Sequence, residues 1–298
     1  MALPFAAIAR GLRANRLHRR AVESRSRAER GMKLIALLFS SWVPLAAVAL
    51  EDVPFVTSPD NVTTAMLEIA HVGPDDYLID LGSGDGRIVI TAAKRFGARG
   101  LGVEIDPKLV DLSRGRARVS GVAERAHFRE QDLFKTDLSP ASVITMYLLP
   151  DVNLQLRPKL LALRAGTRVV SHDWDMGDWQ PDRTVTVEVP DKKVGLEKSS
   201  KVHLWIVPAR VEGDYCGTGK ARGTLLRLAQ QYQLFRGRFE KGGDTREFNG
   251  RIEGALLAAH RQVNLRQEGD RLRVQAIAKT YKDVHGAVFA PSRGRPCK

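Results

Sequence analysis

The sequence predicts an α/β fold: a doubly wound, Rossmann-like sheet with an antiparallel edge, followed by a small C-terminal antiparallel β domain. Strand-like and helix-like segments alternate over residues 53–208, which is typical of a parallel sheet covered by helices on both faces. The last two strand-like segments of this region have no helix between them, and this predicts the antiparallel edge. After residue 208, short alternating segments are separated by Gly-Gly, Asn-Gly and Glu-Gly-Asp turns, so we expect a β domain over residues 209–298, of which a barrel is one form.

The elements of the first domain, residues 51–208, follow from hydrophobic periodicity. Helices are predicted over residues 59–72, 88–96, 107–119 and 154–163. Strands are predicted over residues 77–81, 100–104, 126–132, 142–148, 167–171, 184–189 and 201–207. In the second domain, residues 224–235 are expected to form one strand that carries Leu226, Leu228, Tyr232 and Leu234 on a single face, and residues 271–276 alternate strictly.

A glycine-rich turn follows the first strand. Residues 80–86 read Asp-Leu-Gly-Ser-Gly-Asp-Gly, and an amphipathic helix follows. Glycine allows a sharp turn and a close backbone approach to a ligand, which would lie against the helix N-terminus. Two further acids, Glu104 and Asp132, end the next two strands, and the distance of Glu104 from the glycines suits an acid that binds ribose hydroxyls. We interpret the region as a nucleoside-binding site.

The spacing of the glycines, with an acid before them, resembles motif I of the class I S-adenosylmethionine (SAM) methyltransferases. The resemblance implies that Glu104 binds the ribose and that Asp132 accepts from the adenine amino group, with Leu133 or Phe134 against the ring. Asp80 would bind the methionyl ammonium, directly or through water. The turn that would pass close to the methionyl part is formed by Gly82, Ser83, Gly84 and Gly86. The alternative for each acid is a capping residue at a strand–helix junction.

A narrower resemblance covers residues 53–182. This region resembles the lysine methyltransferases that act on the ATP synthase c-subunit and the adenine nucleotide translocase, and their bacterial relatives. The segments that carry the resemblance include Gly102-Val-Glu-Ile-Asp106, Tyr147-Leu-Leu-Pro150, Leu156-Arg-Pro-Lys-Leu160 and Gly166-Thr-Arg-Val-Val-Ser-His172. This implies a protein substrate, of which a hydrophobic membrane protein is one example. This sequence departs from the family in two features. Thr57 occupies a position where the family is expected to have proline, and the mitochondrial members of the family lack the β domain.

The acceptor site is expected at the carboxyl ends of the fourth and fifth strands. The fourth ends in Tyr147-Leu-Leu-Pro150, without the Asn/Asp-Pro-Pro-aromatic sequence typical of enzymes that methylate base amino groups, so we expect no sequence-specific nucleic acid substrate. Tyr147 is a candidate for contacting an amine, and His172 or Asp173 for taking its proton. Trp174 and Trp179 are candidates for enclosing it. The alternatives are a structural tyrosine and a hydrogen-bonded histidine.

The net charge of +13 is uneven. Residues 1–31 carry +6 and residues 210–298 carry +9, which leaves −2 between them. Residues 32–50 resemble a signal peptide, with a membrane anchor or a buried helix as alternatives. Residues 1–31 are interpreted as a disordered or spurious extension, or as a mitochondrial presequence. We therefore expect a membrane-associated or exported protein, with mitochondria as an alternative.

The only cysteines are Cys216 and Cys297, so cysteines do not supply a zinc site, and we predict no metal. They lie near the two ends of the β domain. A barrel would bring these ends together, which allows a disulfide in an exported protein; two free thiols are the alternative.

These observations predict a SAM-dependent methyltransferase that acts on a protein lysine. Two alternatives are a small-molecule methyltransferase and a catalytically silent SAM-binding module whose basic β domain binds an anionic partner.

Overall fold

The computed structural model describes residues 56–192 and 197–298. The predicted extension and the signal or anchor segment, residues 1–31 and 32–50, lie outside the described residues. No helix in the described part of the chain combines the length and the apolar character needed to cross a bilayer.

The first domain is built on a seven-stranded sheet with strand order β3-β2-β1-β4-β5-β7-β6. Strands β1 to β5 are parallel, and β7 pairs antiparallel with both β5 and β6. The strands are β1 (Tyr77–Leu81), β2 (Arg99–Glu104), β3 (Ala126–Glu130), β4 (Val143–Met146), β5 (Arg168–His172), β6 (Arg183–Glu188) and β7 (Ser199–Ile206). The doubly wound sheet with its antiparallel edge confirms the predicted fold class.

Four helices cover the sheet: α1 (Asp60–Ile69), α2 (Arg87–Phe96), α3 (Pro107–Val119) and α4 (Pro150–Leu161). Helix α3 starts where its pattern predicts, because Asp106 accepts a hydrogen bond from the Lys108 N–H and Pro107 occupies the first turn. Helix α4 begins at Pro150, four residues earlier than expected. Proline is well suited to the first turn, where its missing N–H has no helical partner to lose.

Side chains of successive residues in the central strands enter different cores. Leu78 packs with α1 and α2 on one face of the sheet. Ile79 and Leu81 pack on the other face with α4, Trp179 and Trp205. Both faces of the sheet are therefore buried, which explains the nearly continuous apolar runs of β1 and β4.

The chain order reverses between β1 and β4. Strands β2 and β3 lie on one side of β1 in the sheet, whereas β4 and β5 lie on its other side. The connections after β1 and β4 therefore diverge to opposite faces and leave a crevice outside the carboxyl ends of these strands, where ligands bind in open α/β sheets. This edge carries the predicted site residues.

The second domain is a closed eight-stranded antiparallel barrel of sequential strands, in which β15 closes on β8. Its strands are β8 (Gly213–Gly217), β9 (Leu225–Gln231), β10 (Leu234–Lys241), β11 (Asp244–Glu253), β12 (Leu256–Ala259), β13 (Val263–Glu268), β14 (Arg271–Ala276) and β15 (Val288–Pro291). Burial alternates along β10 and β14, and the inward residues form one core.

One prediction in this domain is wrong. Residues 224–235 do not form a single strand, because a two-residue turn at Tyr232 and Gln233 divides them between β9 and β10. Leu226 and Leu228 point into the barrel as expected, but Leu234 is exposed and Tyr232 lies in the turn. The apolar pattern continues through the turn because Tyr232 packs against the core of the first domain.

The two cysteines form a disulfide, as predicted. The Cα atoms of Cys216 and Cys297 are 5.2 Å apart, although 81 positions separate them in the sequence. Cys216 lies in β8, opposite Ala290 of β15, so the bridge joins the C-terminal tail to the strand that closes the barrel. Because it constrains a long segment, it is expected to destabilise the unfolded chain.

We expect reductant to lower the thermal stability of the barrel markedly. The chain-entropy treatment gives about 4.5 kcal/mol for a closed loop of this length. Thermal unfolding followed by circular dichroism, with and without reductant, measures the effect. The Cys216→Ser variant is the control, because its unfolding should not respond to reductant. An equal response of the variant and the wild type would contradict the prediction.

Candidate active site

The glycine turn after β1 lies in the crevice between β1 and β4. The backbone N–H groups of Gly82 and Ser83 both donate to the Val103 carbonyl, which ties the turn to β2. Gly82 and Gly86 have φ values of +70° and +78°, which are disfavoured for other residues. A side chain at Gly86 would also lie 2.7 Å from the Phe128 ring, so glycine is required for packing as well as for the turn.

Glu104 connects the turns that follow β1 and β2. Its Oε2 accepts from the Gly84 N–H at 2.9 Å, and its Oε1 accepts from the N–H groups of Ile105 and Asp106 at 2.8 and 3.1 Å. The carboxylate is only half-buried, so its free lone pairs remain available to hydroxyl donors. Glu104 therefore shapes the crevice and is placed to bind a ligand there.

Asp80 is a buried acid at the end of β1. Its Oδ1 accepts from the Thr145 hydroxyl at 2.7 Å. Burial raises the pKa of Asp80 to about 7. The Thr145 hydrogen bond acts in the opposite direction, and the negative charges of Glu104 and Asp85 raise the pKa further. No salt bridge compensates this carboxyl within residues 56–192 and 197–298, so a cationic ligand group would stabilise its charged form.

Asp85 has the opposite environment, although it belongs to the same motif. Arg87 and Arg116 both form salt bridges with its carboxylate, and together these contacts lower its pKa despite the cost of burial. Arg87 also donates to the Ser58 carbonyl at 2.8 Å, which holds the segment before α1 beside the turn. Asp85 is therefore a structural acid.

Ser83 and Asp132 differ in their surroundings, and the Ser83 hydroxyl faces Gly102 of β2. The Ser83 hydroxyl is buried without a hydrogen-bond partner in the described residues. Asp132 caps the short 3-10 helix Leu133–Lys135 by accepting from the Phe134 N–H at 2.8 Å, and its other oxygen is 3.6 Å from Lys135 Nζ. The capping role is therefore present, and adenine binding by Asp132 stays a prediction. Leu133 packs against the sheet core, whereas Phe134 is exposed.

Tyr147 and His172, the candidate residues for the acceptor side, lie together at the ends of β4 and β5. The Tyr147 ring stacks on the His172 ring with a centroid distance of 3.9 Å. Burial, followed by the negative charge of Asp173, raises the pKa of Tyr147, so its hydroxyl stays protonated at neutral pH. This hydroxyl makes no hydrogen bond within the described part of the chain, and it is the free polar group of the cluster.

His172 is only 1% exposed, and hydroxyl groups lie at both of its ring nitrogens. Nδ1 is 2.8 Å from Ser58 Oγ, and Nε2 is 2.9 Å from Ser200 Oγ. Burial lowers the pKa of His172 to about 4; the negative charge of Asp173 acts in the opposite direction, and the positive charge of Lys192 adds to the lowering. The ring is therefore neutral at pH 7 and holds Tyr147 in place; its predicted role as a proton acceptor is not favoured by this geometry.

The carboxylate of Asp173 also has partners within the protein. Lys192 forms an ion pair with its carboxylate at 2.8 Å, and the Lys201 N–H donates to it at 2.9 Å. Burial alone would raise its pKa, but these hydrogen bonds and the adjacent charges bring it below the ordinary value. Asp173 has a φ of +62°, which turns the chain sharply out of β5.

The expectation that both tryptophans of the loop after β5 enclose an amine is wrong for Trp179. Trp179 is fully buried beside Trp205 of β7, whose indole N–H donates to the Trp179 carbonyl at 2.7 Å. Trp174 is exposed at the edge of the crevice. Only its position suits the predicted role.

Sequence reasoning did not identify several residues of this site. Ser58 and Ser200 contact His172 from positions far away in the chain, and no local pattern marks them. Ile105 follows Glu104 directly and is 72% exposed. A large apolar residue directly after an acid that ends a strand is a signal that the sequence does carry. The edge also carries a rim of exposed apolar side chains, formed by Val56, Ile105, Phe134, Leu149, Leu154 and Trp174.

A separate cleft of about 630 Å³ lies on the barrel beside the disulfide. Its charged lining is balanced, since it contains Asp214, Glu240, Asp244, Arg227, Lys241 and Arg295. This cleft therefore has no excess positive charge that would select an anionic ligand. The residues described by the structure contain no group of three or more His, Cys, Asp or Glu side chains arranged to hold a metal ion.

Comparison with known proteins agrees with this geometry. A model of the ANTKMT methyltransferase domain matches residues 80–183. The chain is 45% identical over 138 residues to a protein-lysine N-methyltransferase of Saccharolobus islandicus, an alignment that covers 46% of this chain and 86% of the relative. It is 37% identical over 155 residues to the Rattus norvegicus lysine N-methyltransferase of the ATP synthase c-subunit, and here 50% of this chain and 70% of the relative are aligned.

Among solved structures, the chain is similar to an RNA methyltransferase from Salinibacter ruber in complex with S-adenosyl-L-homocysteine. The identity is 52%, with 52% of this chain and 96% of that chain covered and a TM-score of 0.47. The predicted family resemblance and the SAM cofactor are confirmed by the family match and the curated relatives. The chain belongs to the SAM-dependent methyltransferase family described by the ANTKMT methyltransferase domain.

Proposed function

We propose that this enzyme methylates the side-chain amine of a lysine in a protein, and that the acceptor segment is apolar. The single observation that carries the proposal is the Tyr147 hydroxyl, which is unpartnered among the described residues and lies directly after β4, on a ring that stacks on His172. The relatives that act on protein lysines support the same acceptor.

The residues of the crevice fit SAM. Glu104 would bind the ribose hydroxyls, and Asp132 the adenine amino group, with Ile105 and Leu133 or Phe134 beside the ring. Asp80 would hold the methionyl ammonium, because its buried carboxyl lacks a cationic partner in the described residues. When bound, SAM supplies an electrophilic methyl group on a positively charged sulfur.

The residues of the acceptor edge orient the amine. The Tyr147 hydroxyl oxygen would accept a hydrogen bond from an N–H of the amine, which leaves the nitrogen lone pair free to attack the methyl group. The stacked and neutral His172 fixes the direction of the Tyr147 ring. Because the surrounding rim is apolar, it disfavours the ammonium form and so helps the lysine to lose its proton. His172 and Asp173 are assigned to positioning, since their polar atoms already have partners.

The rim also bears on the kind of acceptor. Four of the six rim side chains are not assigned to the adenine ring: Val56, Leu149, Leu154 and Trp174, which are exposed by between 38% and 48%. Exposed apolar side chains of this kind are the chemistry expected for contact with an apolar protein segment. A small polar molecule would make little use of such a surface. We therefore favour a hydrophobic protein, including a membrane protein, over the small-molecule alternative.

The location that we propose is an oxidising compartment reached through the signal or anchor segment at residues 32–50. The disulfide supports this, because such bonds persist mainly in exported proteins. Mass spectrometry of the mature N-terminus and of alkylated cysteines after cell fractionation is the test. A chain with reduced cysteines that is recovered from the cytosol would exclude export.

Affinity for SAM should rise with pH between 6 and 7.5. Because the pKa of Asp80 is about 7, only its deprotonated fraction offers a charge to the ammonium, and that fraction grows about eightfold over this interval. Calorimetric titration at several pH values measures the change. The Asp80→Asn variant, which retains the shape and the Thr145 contact, should bind weakly with little pH dependence.

Glu104→Gln is the matched control for this experiment. It should weaken SAM binding by about 2–4 kcal/mol, because charge-assisted hydrogen bonds to hydroxyl groups are lost. It should keep the pH dependence but move its midpoint to lower pH, because the Glu104 charge contributes to the raised pKa of Asp80. A wild-type affinity that is constant across this pH range would refute the assignment of Asp80.

Incubation with radiolabelled SAM and a detergent-solubilised membrane fraction should label protein lysines, identified after acid hydrolysis. The Tyr147→Phe variant should label about tenfold more slowly, because one hydrogen bond to the acceptor is lost. Its SAM affinity should stay within twofold of the wild type. Label confined to nucleic acid or small molecules would show that lysine is not the acceptor.

A further inference from the structure

Three side chains of the barrel contact the loop that joins β5 to β6. Tyr232 Oη donates to Asp178 Oδ2 at 2.9 Å. Gln233 Nε2 donates to the Gln180 carbonyl at 2.5 Å, and Arg251 pairs with Asp182 at 2.7 Å. The barrel thus holds the second half of this loop through three separate side chains.

Tyr232 is the central contact. Its ring lies nearly parallel to that of Trp179, with centroids 6.3 Å apart, and the Arg157 guanidinium lies 5.7 Å from its ring centroid. It packs against the core of the first domain although it belongs to a barrel hairpin. Its φ of +52° is unfavourable for a bulky residue, and it is the conformation that the first position of a two-residue hairpin turn requires.

The first half of the same loop is held by helix α4. Asn153 is fully buried, and its Nδ2 donates to the carbonyls of Trp174 and Asp175 at 3.2 and 3.3 Å. Arg157, one turn later, donates to the Met176 carbonyl at 2.8 Å and also pairs with Asp178. The loop is therefore fixed between α4 and the barrel, and Asp178 is shared by both.

This loop borders the acceptor site. It leaves β5 directly after His172 and Asp173, and it carries the exposed Trp174 of the rim. Greater backbone motion of residues 176–182 would also increase the motion of Trp174, because few residues separate them. The Trp174 carbonyl is held by one side-chain amide, that of Asn153.

We propose that the barrel braces the acceptor-side loop of the methyltransferase domain and that Tyr232 is the positioning residue that transmits this support. The proposal rests on the proposed function only in taking this edge as the acceptor edge. It assigns to the barrel a role in acceptor binding that does not require a ligand of its own.

The test compares Tyr232→Phe with Tyr281→Phe in the full-length protein. The first substitution removes the hydroxyl that bonds Asp178, and the second removes a hydroxyl that donates to the Glu247 carbonyl inside the barrel. Amide hydrogen exchange of residues 173–179 should become at least threefold faster in Tyr232→Phe and stay unchanged in Tyr281→Phe. Combining Tyr232→Phe with Asp178→Asn should add nothing to the larger of the two single effects.

Methylation gives the second readout. With the solubilised membrane fraction as acceptor, Tyr232→Phe should need several-fold more acceptor for half-maximal rate, with SAM affinity within twofold of the wild type. Unchanged exchange in residues 173–179 of Tyr232→Phe, or equal acceleration in Tyr281→Phe, would overturn the brace. If the wild type fails to label lysine, the proposed function is wrong, while the exchange measurement still decides the brace.

Discussion

The reversal of strand order between β1 and β4 determines where this protein can bind a ligand. Because the connections after these strands leave to opposite faces, the backbone opens a crevice at their carboxyl ends. The glycine turn, Asp80 and Glu104 come from one side of the reversal, and Tyr147 and His172 come from the other. The residues proposed to bind the cofactor and those proposed to bind the acceptor therefore lie at one edge of the sheet, although they come from distant parts of the sequence.

Neighbouring acids in this crevice have different functions because their partners differ. Two arginines neutralise Asp85, and three backbone N–H groups hold Glu104, whereas Asp80 receives a single hydroxyl. Burying a carboxylate without a cation is costly, and the protein retains that cost at Asp80. An uncompensated acid of this kind is a better indication of a ligand site than an acid that stabilises its own loop.

Local patterns in the sequence predicted most of the fold and the place of the glycine turn at the end of β1. Periodicity located the strands of the parallel sheet, and the spacing of the glycines and acids located the crevice. Contacts between distant segments were not predictable: Ser58 and Ser200 reach His172 only because α1 and β7 flank β5 in the folded chain. Tyr232 and Trp179 were misplaced because an apolar residue at a domain junction has the same appearance in the sequence as one in a strand or a binding site. The disulfide was predictable because barrel closure brings the first and last strands together.

The sequential order of the barrel strands has a consequence for how the domain assembles. Every pairing except β15 with β8 joins neighbours in the chain, so these hairpins can form with little loss of loop entropy. The closing seam alone requires the two ends of the domain to find each other. Cys216 lies in that seam, and Cys297 lies just beyond it. Oxidation therefore makes the one long-range contact of the domain covalent. If the pairing of β15 with β8 then opens, the disulfide still holds the first strand and the C-terminal tail together.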